Sequence, residues 1–149
     1  MNISIPPFLL VFYFFFNSYV YAHTPDIKQK GISVNLITQS DASWDGTPLP
    51  HYPAGQPEIT ILKITVQPGV SLPMHEHPYI NAGILTKGQL TLGRQDNDKK
   101  YHLKAGDGFT ELVNIWHYGE NEGSTPAEVV MFYAGVKGKP VTVVEKNQK

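Results

Sequence analysis

Short stretches in which apolar residues alternate with polar or β-branched ones recur along this chain, separated by turn-forming residues. In Ile32–Leu36, Ile32, Val34 and Leu36 alternate with Ser33 and Asn35, and Glu58–Gln67 combines Ile59 and Ile61 with β-branched threonines. An alternation of period two is typical of strands, and no segment shows a clear helical period of 3.6 residues. We therefore predict an all-β fold with at least eight short strands.

The later strands are predicted from the same alternation and from the turn residues between them. They are Gln89–Gly93, Lys100–Leu103, Phe109–Val113, Trp116–Glu120, Glu128–Ala134 and Val141–Glu145. Asp96, Asn97 and Asp98 are predicted as the tip of the hairpin between the first two. Residues 44–55 are dense in Pro and Gly and are predicted as a loop, with Trp44, Leu49 and Tyr52 packed over one mouth of the fold.

The length and charge of the chain narrow the possible classes. It has 149 residues, a formal charge of −1 and no cysteine. One domain with a sizeable core is expected at this length. Nucleic acid is not an expected partner because no basic stripe stands out. A disulfide or thiolate site is excluded because there is no cysteine.

The N-terminal segment predicts export from the cytoplasm. Phe8–Phe16 is an apolar run of nine residues, and Val20 and Ala22 are small residues at the expected cleavage positions, although the preceding segment lacks Lys or Arg. We expect a cleaved signal peptide over residues 1–22 and a secreted or periplasmic protein without a stable membrane anchor. An N-terminal strand and loop (23–56) and the main β domain (57–145) would follow.

Three histidines are candidate metal ligands. His75 and His77 are one residue apart in an apolar run, so in a strand they project to the same side, as would Tyr79 and Asn81 if the strand continued. His117 is the third histidine, in the later segment 106–121. Imidazole is the commonest metal ligand in proteins, and three of them suit Zn, Fe, Cu or Ni. We expect one such divalent ion per chain.

Two motifs resemble those of the cupin superfamily. The first reads G-x5-H-x-H-x3-N-x6-G from Gly69 to Gly88, and the second reads G-x5-L-x-N-x2-H-x3-N from Gly106 to Asn121. Cupins usually have Glu at the position of Asn81, and Pro and Gly at the positions of Leu112 and Asn114. The resemblance covers residues 57 to about 135, and it implies a jelly-roll β-barrel with the metal held inside by His75, His77, His117 and the residue at position 81.

An amide at position 81 changes the expected chemistry of the site. It is a neutral and weaker donor than a carboxylate, so binding of Mn²⁺ should weaken relative to Zn²⁺, Cu²⁺ or Fe²⁺. Glu111 could restore the carboxylate, as a fourth ligand or a general base, if it faces inward; its apolar neighbours Phe109 and Val113 favour this. If it faces outward, it is a solvated charge. The phenol of Tyr79 could donate to a substrate oxygen or could be packing.

Two classes of function therefore remain open. Metal-bearing cupins are usually enzymes that act on small oxygenated molecules, and Glu111 and Tyr79 are the candidate catalytic residues here. The alternative is a non-catalytic extracytoplasmic module that binds a small molecule or a metal. A cupin without metal is a third option. A homodimer is possible because small cupins commonly pair through edge strands, and Val129–Tyr133 would suit that role.

Overall fold

The computed structural model describes residues 30–146. Within this range the chain forms nine β-strands and no helix. The strands are β1 Pro57–Val66, β2 His75–Glu76, β3 Asn81–Lys87, β4 Gln89–Arg94, β5 Lys100–Lys104, β6 Gly108–Thr110, β7 His117–Glu120, β8 Ala127–Val136 and β9 Val143–Val144. The predicted all-β fold is confirmed. The predicted signal peptide lies outside the described residues.

The strands form two antiparallel sheets that share one hydrophobic core. One sheet has the order β1-β8-β3-β6 and the other β5-β4-β7-β2-β9. Both sheets contribute buried apolar side chains, which are Val66, Leu85, Leu90, Leu92, Leu103, Phe109, Ala127, Val129, Met131 and Tyr133. No helix in the described part of the chain is long and apolar enough to span a membrane. All nine strands lie within residues 35–146.

Alternation along β1 and β8 separates an inner face from an outer one. The two strands pair over ten residues, with Ile61 opposite Phe132. Ile61 and Phe132 are exposed on the outer face, whereas Val129 and Tyr133 are buried on the inner face. Because β8 is hydrogen-bonded to β1 on one side and β3 on the other, it is a central strand. The expectation that Val129–Tyr133 offers an edge for dimerisation was therefore wrong.

Two strand predictions fail because alternation alone does not supply a hydrogen-bonding partner. Residues 32–36 form no strand, and the side chains of Ile32, Val34 and Leu36 are exposed. The histidine run is also interrupted: β2 ends at Glu76, and β3 begins only at Asn81. The intervening turn means that side-chain parity cannot be carried from the histidines to Tyr79.

The loop before β1 is held against the domain by polar contacts of Asp45. The Asp45 carboxylate accepts hydrogen bonds from the backbone and hydroxyl of Thr47 and forms a buried ion pair with Arg94. Trp44, the preceding residue, stacks on Tyr101 with ring centroids 6.0 Å apart. The predicted loop is thus confirmed, and Trp44 packs as expected, but Tyr52 is 79% exposed and does not cover the domain.

Candidate metal centre

The three histidines meet on the inner face of the five-stranded sheet. His75 on β2 lies directly opposite His117 on β7 in the antiparallel register, and His77 follows one residue after β2 ends. The ring centroids of His75 and His117 are 4.4 Å apart, and each is 5.0 Å from that of His77. One ring nitrogen from each histidine lies within 4.8 Å of the others. The three imidazoles are therefore close enough to share one ion.

Each imidazole is oriented by a backbone carbonyl. The Nδ1 atoms of His75, His77 and His117 lie 2.7, 3.0 and 2.7 Å from the carbonyl oxygens of Pro73, Val141 and Ile115. A carbonyl oxygen can only accept, so Nδ1 carries the proton and donates it. This leaves the lone pair on Nε2 of each ring. Metal-bound histidines in proteins commonly have their second nitrogen fixed in this way.

Burial keeps the three imidazoles neutral. It is the main cause of a lowered pKa in His75 and His117, and it lowers the pKa of His77 to about 3. The charge of a protonated His117 would lower the pKa of His75 and His77 further. Because metal ions bind the neutral form of imidazole, the site does not have to release protons to take up an ion at neutral pH.

The space between the rings suits a small polar or ionic ligand. A cavity of about 40 Å³, here called the inner cavity, is bordered by the three histidines and Glu111 and closed by apolar side chains such as Leu90 and Met131. His117 Nε2 and Asn81 Oδ1 are buried and have no hydrogen-bond partner. An unpaired buried polar atom costs about 1–3 kcal/mol. A divalent ion at the histidines would satisfy the Nε2 lone pair, so the donor set fits a metal.

Glu111 places a carboxyl beside the histidines. The residue is 4% exposed, and its Oε1 lies 3.7 Å from His117 Nε2. Oε1 also accepts hydrogen bonds from Trp44 Nε1 at 2.7 Å and from the Leu112 backbone at 3.0 Å. Burial raises the pKa of this carboxyl, and the two hydrogen bonds oppose the rise. The inward orientation of Glu111 is confirmed, and its role as a metal ligand or base stays a prediction.

Asn81 begins β3 and is almost fully buried. Its Nδ2 donates to the Tyr79 carbonyl oxygen at 3.1 Å, and its backbone carbonyl accepts from the Glu111 amide. The side-chain oxygen is the atom left without a partner. Asn81 faces Tyr133 in the β3–β8 register, and the Tyr133 ring packs against His77 with centroids 5.3 Å apart. Asn81, like Tyr79, is not among the described residues that border the inner cavity, and its role as a metal ligand stays a prediction.

Tyr79 is the candidate that the geometry does not bring to the histidines. It lies in the turn between β2 and β3 and is not among the residues that border the inner cavity. A Cβ atom added at Gly135 would lie 3.6 Å from Tyr79 Cδ2, so the Tyr79 ring packs near the end of β8. A strand that continued from His75 through residue 81 would place Tyr79 on the histidine face. Because β2 ends at Glu76, this prediction does not hold. The catalytic role of Tyr79 stays a prediction.

The family of the chain follows from sequence and fold together. A family model described as "Cupin domain" matches residues 62–133, a range that contains all three histidines. Residues 62–133 thus form a cupin domain. No curated protein sequence matches it. The first cupin motif therefore supplies His75 and His77 here, and the second supplies His117.

Solved structures similar to this cupin include two bacterial oxalate decarboxylases. The enzyme from Lactobacillus farciminis shares 19% sequence identity, with a TM-score of 0.51 over 58% of this chain and 26% of that one. The enzyme from Bacillus subtilis, which has Mn(II) centres, shares 21% identity with the same TM-score over 58% and 23% of the two chains. This cupin thus spans about a quarter of the length of these enzymes, and at such identity the likeness concerns the fold.

The cupin second motif departs from its usual residues at Asn114 in a way that the backbone explains. Asn114 has a φ of 55°, in the left-handed region that favours glycine, and asparagine tolerates this region better than most residues. The backbone N–H of Asn114 donates a hydrogen bond to the His77 carbonyl oxygen at 2.9 Å. The turn before His117 is therefore tied to the first motif without a glycine.

Sequence reasoning missed two contacts that position the site residues. The Trp44 side chain holds Glu111 from 67 residues away, and the Val141 carbonyl orients His77 from 64 residues away. The Thr142 hydroxyl lies 3.2 Å from the same His77 nitrogen. Trp44 is recognisable in the sequence as a large apolar residue in a Pro/Gly-rich loop. The Val141 contact is not, because every residue has a backbone carbonyl.

Proposed function

We propose that this cupin holds one divalent transition metal ion through the Nε2 atoms of His75, His77 and His117 and acts on or binds a small oxygenated molecule there. Zn, Fe, Cu and Ni are the ions that suit three neutral imidazoles. An ion with open positions supplies Lewis acidity toward an oxygen of the bound molecule. The observation that carries the proposal is that all three Nδ1 atoms donate hydrogen bonds to backbone carbonyls. The Nε2 atoms therefore keep their lone pairs free to bind one shared ion.

The residues around the histidines contribute separate functions to this proposal. Glu111 is the nearest carboxyl, and its raised pKa suits a group that holds a proton or gives it up when a cation arrives nearby. Leu90 and Met131 give the inner cavity an apolar wall beside the histidines. The carbonyls of Pro73, Val141 and Ile115 keep the rings in place whether or not a ligand is bound.

Metal loading tests the proposal. Protein purified without chelator or affinity metal, and then exposed to Zn²⁺, Fe²⁺, Cu²⁺ or Ni²⁺ in turn, should retain close to one ion per chain by elemental analysis. The double variant His75→Ala, His77→Ala should lose this binding, whereas His51→Ala, which changes an exposed loop histidine, should keep it. The proposal fails if none of the four ions is retained, or if the double variant binds as the parent does.

A non-catalytic binding module is the second candidate, and the placement of Tyr79 favours it. With Tyr79 outside the cavity, Glu111 is the one of the two candidate catalytic residues that borders it. A binding module would return its ligand unchanged after prolonged incubation with metal-loaded protein. An enzyme would convert it, and Glu111→Gln would slow the conversion.

We also propose, from residues 1–22 alone, that the protein is exported and that its mature chain begins at His23. N-terminal sequencing of the protein recovered from its native host would give His23 as the first residue. A chain that begins at Met1 in the cytoplasmic fraction would contradict export.

A further inference from the structure

A second pocket, which Glu111 does not border, opens next to His75 and His77. This pocket, here called the outer pocket, has a volume of about 170 Å³ and is bordered by Leu62, Ile64, Leu72, Pro73, His75, His77, Tyr133, Thr142 and Val144. It shares five of these residues with the inner cavity, including His75 and His77. A molecule in the outer pocket would therefore meet the metal position at these two histidines.

The walls of the outer pocket are almost entirely apolar. Leu62 and Ile64 project from the inner face of β1, Leu72 and Pro73 precede β2, and Val144 belongs to β9. No Lys, Arg, Asp or Glu is among the described residues that border it. The polar atoms besides the imidazoles are the hydroxyls of Thr142 and Tyr133. A charged ligand group placed here would lose its hydration without gaining an ionic partner.

The charge of the site also argues against a ligand with two acidic groups. Among the described residues that border the inner cavity there is no Lys or Arg, so a second carboxylate would find no cationic side chain there. Arg94, the one arginine of the sequence, is engaged by Asp45 and Asp96. One anionic head could be neutralised by the metal. A second would have no counter-charge in either cavity.

The volume of the outer pocket sets the size of the remainder of the ligand. An engineered apolar cavity of about 150 Å³ in another protein holds one benzene molecule. At about 170 Å³ the outer pocket is of the size that takes a single six-membered ring or a branched chain of similar bulk. It is too small for a two-ring molecule to be enclosed.

We propose that the ligand of this cupin is a small molecule with one oxygen-bearing head, which reaches the metal at His75 and His77, and an uncharged apolar body about the size of one ring, which fills the outer pocket. This inference rests on the proposed metal site. It separates the ligand class from oxalate, the substrate named for the two structurally similar enzymes, because oxalate has two carboxylates and no apolar body.

Hydroxamates that share one metal-binding head test the pocket directly. Acetohydroxamate and benzohydroxamate would be titrated calorimetrically into the Zn²⁺-loaded full chain, with their affinities for free Zn²⁺ as the reference. Benzohydroxamate should bind at least tenfold more tightly than acetohydroxamate after that correction, and oxalate should bind more weakly than benzohydroxamate. A corrected ratio below threefold, or tighter binding of oxalate, overturns the inference.

Two neighbouring substitutions on β1 provide a matched pair. Leu62→Lys places a cation in the wall of the outer pocket, whereas Ile61→Lys places it on the outer face of the same strand. Both residues are partly exposed, at 39% and 59%, so both variants should fold. Leu62→Lys should reduce the preference for benzohydroxamate to less than threefold, and Ile61→Lys should leave it unchanged.

If Leu62→Lys does not fold, Val144→Ser on the facing wall should weaken the same preference by a smaller factor. Equal preferences in all these variants would show that the ring lies elsewhere and would overturn the inference. The Zn²⁺ content of each protein sample is measured alongside these titrations. A chain that binds no Zn²⁺ refutes both the metal site and the ligand class. A chain that binds Zn²⁺ but shows no preference refutes the ligand class alone.

Discussion

The inner cavity and the outer pocket lie next to the same histidines but are built from different chemistry. The inner cavity includes a buried carboxyl that is fixed by hydrogen bonds from Trp44 and the Leu112 backbone. The outer pocket is bordered by Leu62, Leu72 and Val144 and carries no charged group among its described residues. His117 borders only the inner cavity, whereas His75 and His77 border both.

This difference separates metal chemistry from ligand selection. Substitutions around the inner cavity should change metal affinity and the protonation of the site, because they alter charge or hydrogen bonds close to the Nε2 atoms. Substitutions in the outer pocket should change which molecule binds while the metal stays in place.

The largest expected effect is the response of the metal-free protein to acid. Unfolded histidines titrate near pH 6.5, whereas the pKa of buried His77 is about 3. Between these values the unfolded state binds more protons, so the free energy of unfolding falls as pH falls, by about 1.4 kcal/mol per pH unit for each histidine that stays neutral. Urea denaturation of the chelated protein between pH 7 and pH 4 should show this slope.

His77→Gln isolates the contribution of one histidine to that slope. The variant should lose about 1.4 kcal/mol per pH unit of the dependence. Glu111 acts in the opposite direction: because its pKa is raised, its contribution to stability is present at low pH and is lost as pH rises. Glu111→Gln should therefore make the acid-induced loss steeper. An unchanged slope in His77→Gln would mean that this imidazole is protonated as readily in the folded state as in the unfolded one.

The second largest effect is expected for Glu111→Gln. This substitution should lower the affinity for Zn²⁺ by roughly 10- to 100-fold, the range typical for groups that support metal ligands. The amide keeps the shape of the side chain but cannot offset the charge of the ion. Competition with a chromophoric chelator would measure the change, and Glu58→Gln, at an exposed position on β1, is the matched control. An affinity equal to that of the control would remove Glu111 from the site.

Asn81→Glu should tighten metal binding by roughly tenfold and shift the preference toward Mn²⁺, since a carboxylate restores negative charge beside the ion. Ala82→Glu is the control, because Ala82 is the next residue of β3 and therefore faces the other side of the sheet. Mn²⁺ binding that is equal or weaker in Asn81→Glu would indicate that Asn81 lies outside the ligand set or that Glu111 already fills the position.

The smallest expected effect is that of Trp44→Phe. Phenylalanine keeps a ring against Tyr101 but removes the Nε1 donor to Glu111, so the free energy of unfolding should fall by about 1 kcal/mol and Zn²⁺ should bind a few times more weakly. Tyr101→Phe, which preserves both rings, should have neither effect. Identical stability and Zn²⁺ affinity in the two variants would show that the Trp44 hydrogen bond does not position Glu111.

The strands and the ligands were predictable from sequence to different extents. Alternation and turn residues located β1, β4, β5 and β8, and along β1 and β8 the alternation reflects one buried inner face. It failed at residues 32–36, since a strand also needs a partner that pattern cannot supply. It also failed at Tyr79, where the turn after His77 changed the direction in which side chains point. Parity is therefore informative only within one uninterrupted strand.

The convergence of the histidines depends on a long-range register that alternation does not give. His75 meets His117 because β2 pairs with β7. The cupin motifs predict that these two histidines share a site, although alternation does not. The inward direction of Glu111 was inferred from its apolar neighbours, Phe109 among them, and is correct. Glu111 is fixed by the Trp44 Nε1 donor and His77 by the Val141 carbonyl acceptor, and both partners are too distant in sequence to be predicted.

X-ray absorption spectroscopy at the zinc edge of the loaded protein tests the central claim most directly. If His75, His77 and His117 bind the ion through Nε2, the spectrum should fit three imidazole nitrogens at about 2.0–2.1 Å. The His75→Ala, His77→Ala variant should lose that signature. A shell with one imidazole or none in the parent protein, or a spectrum that is the same in the variant, would contradict the three-histidine metal centre.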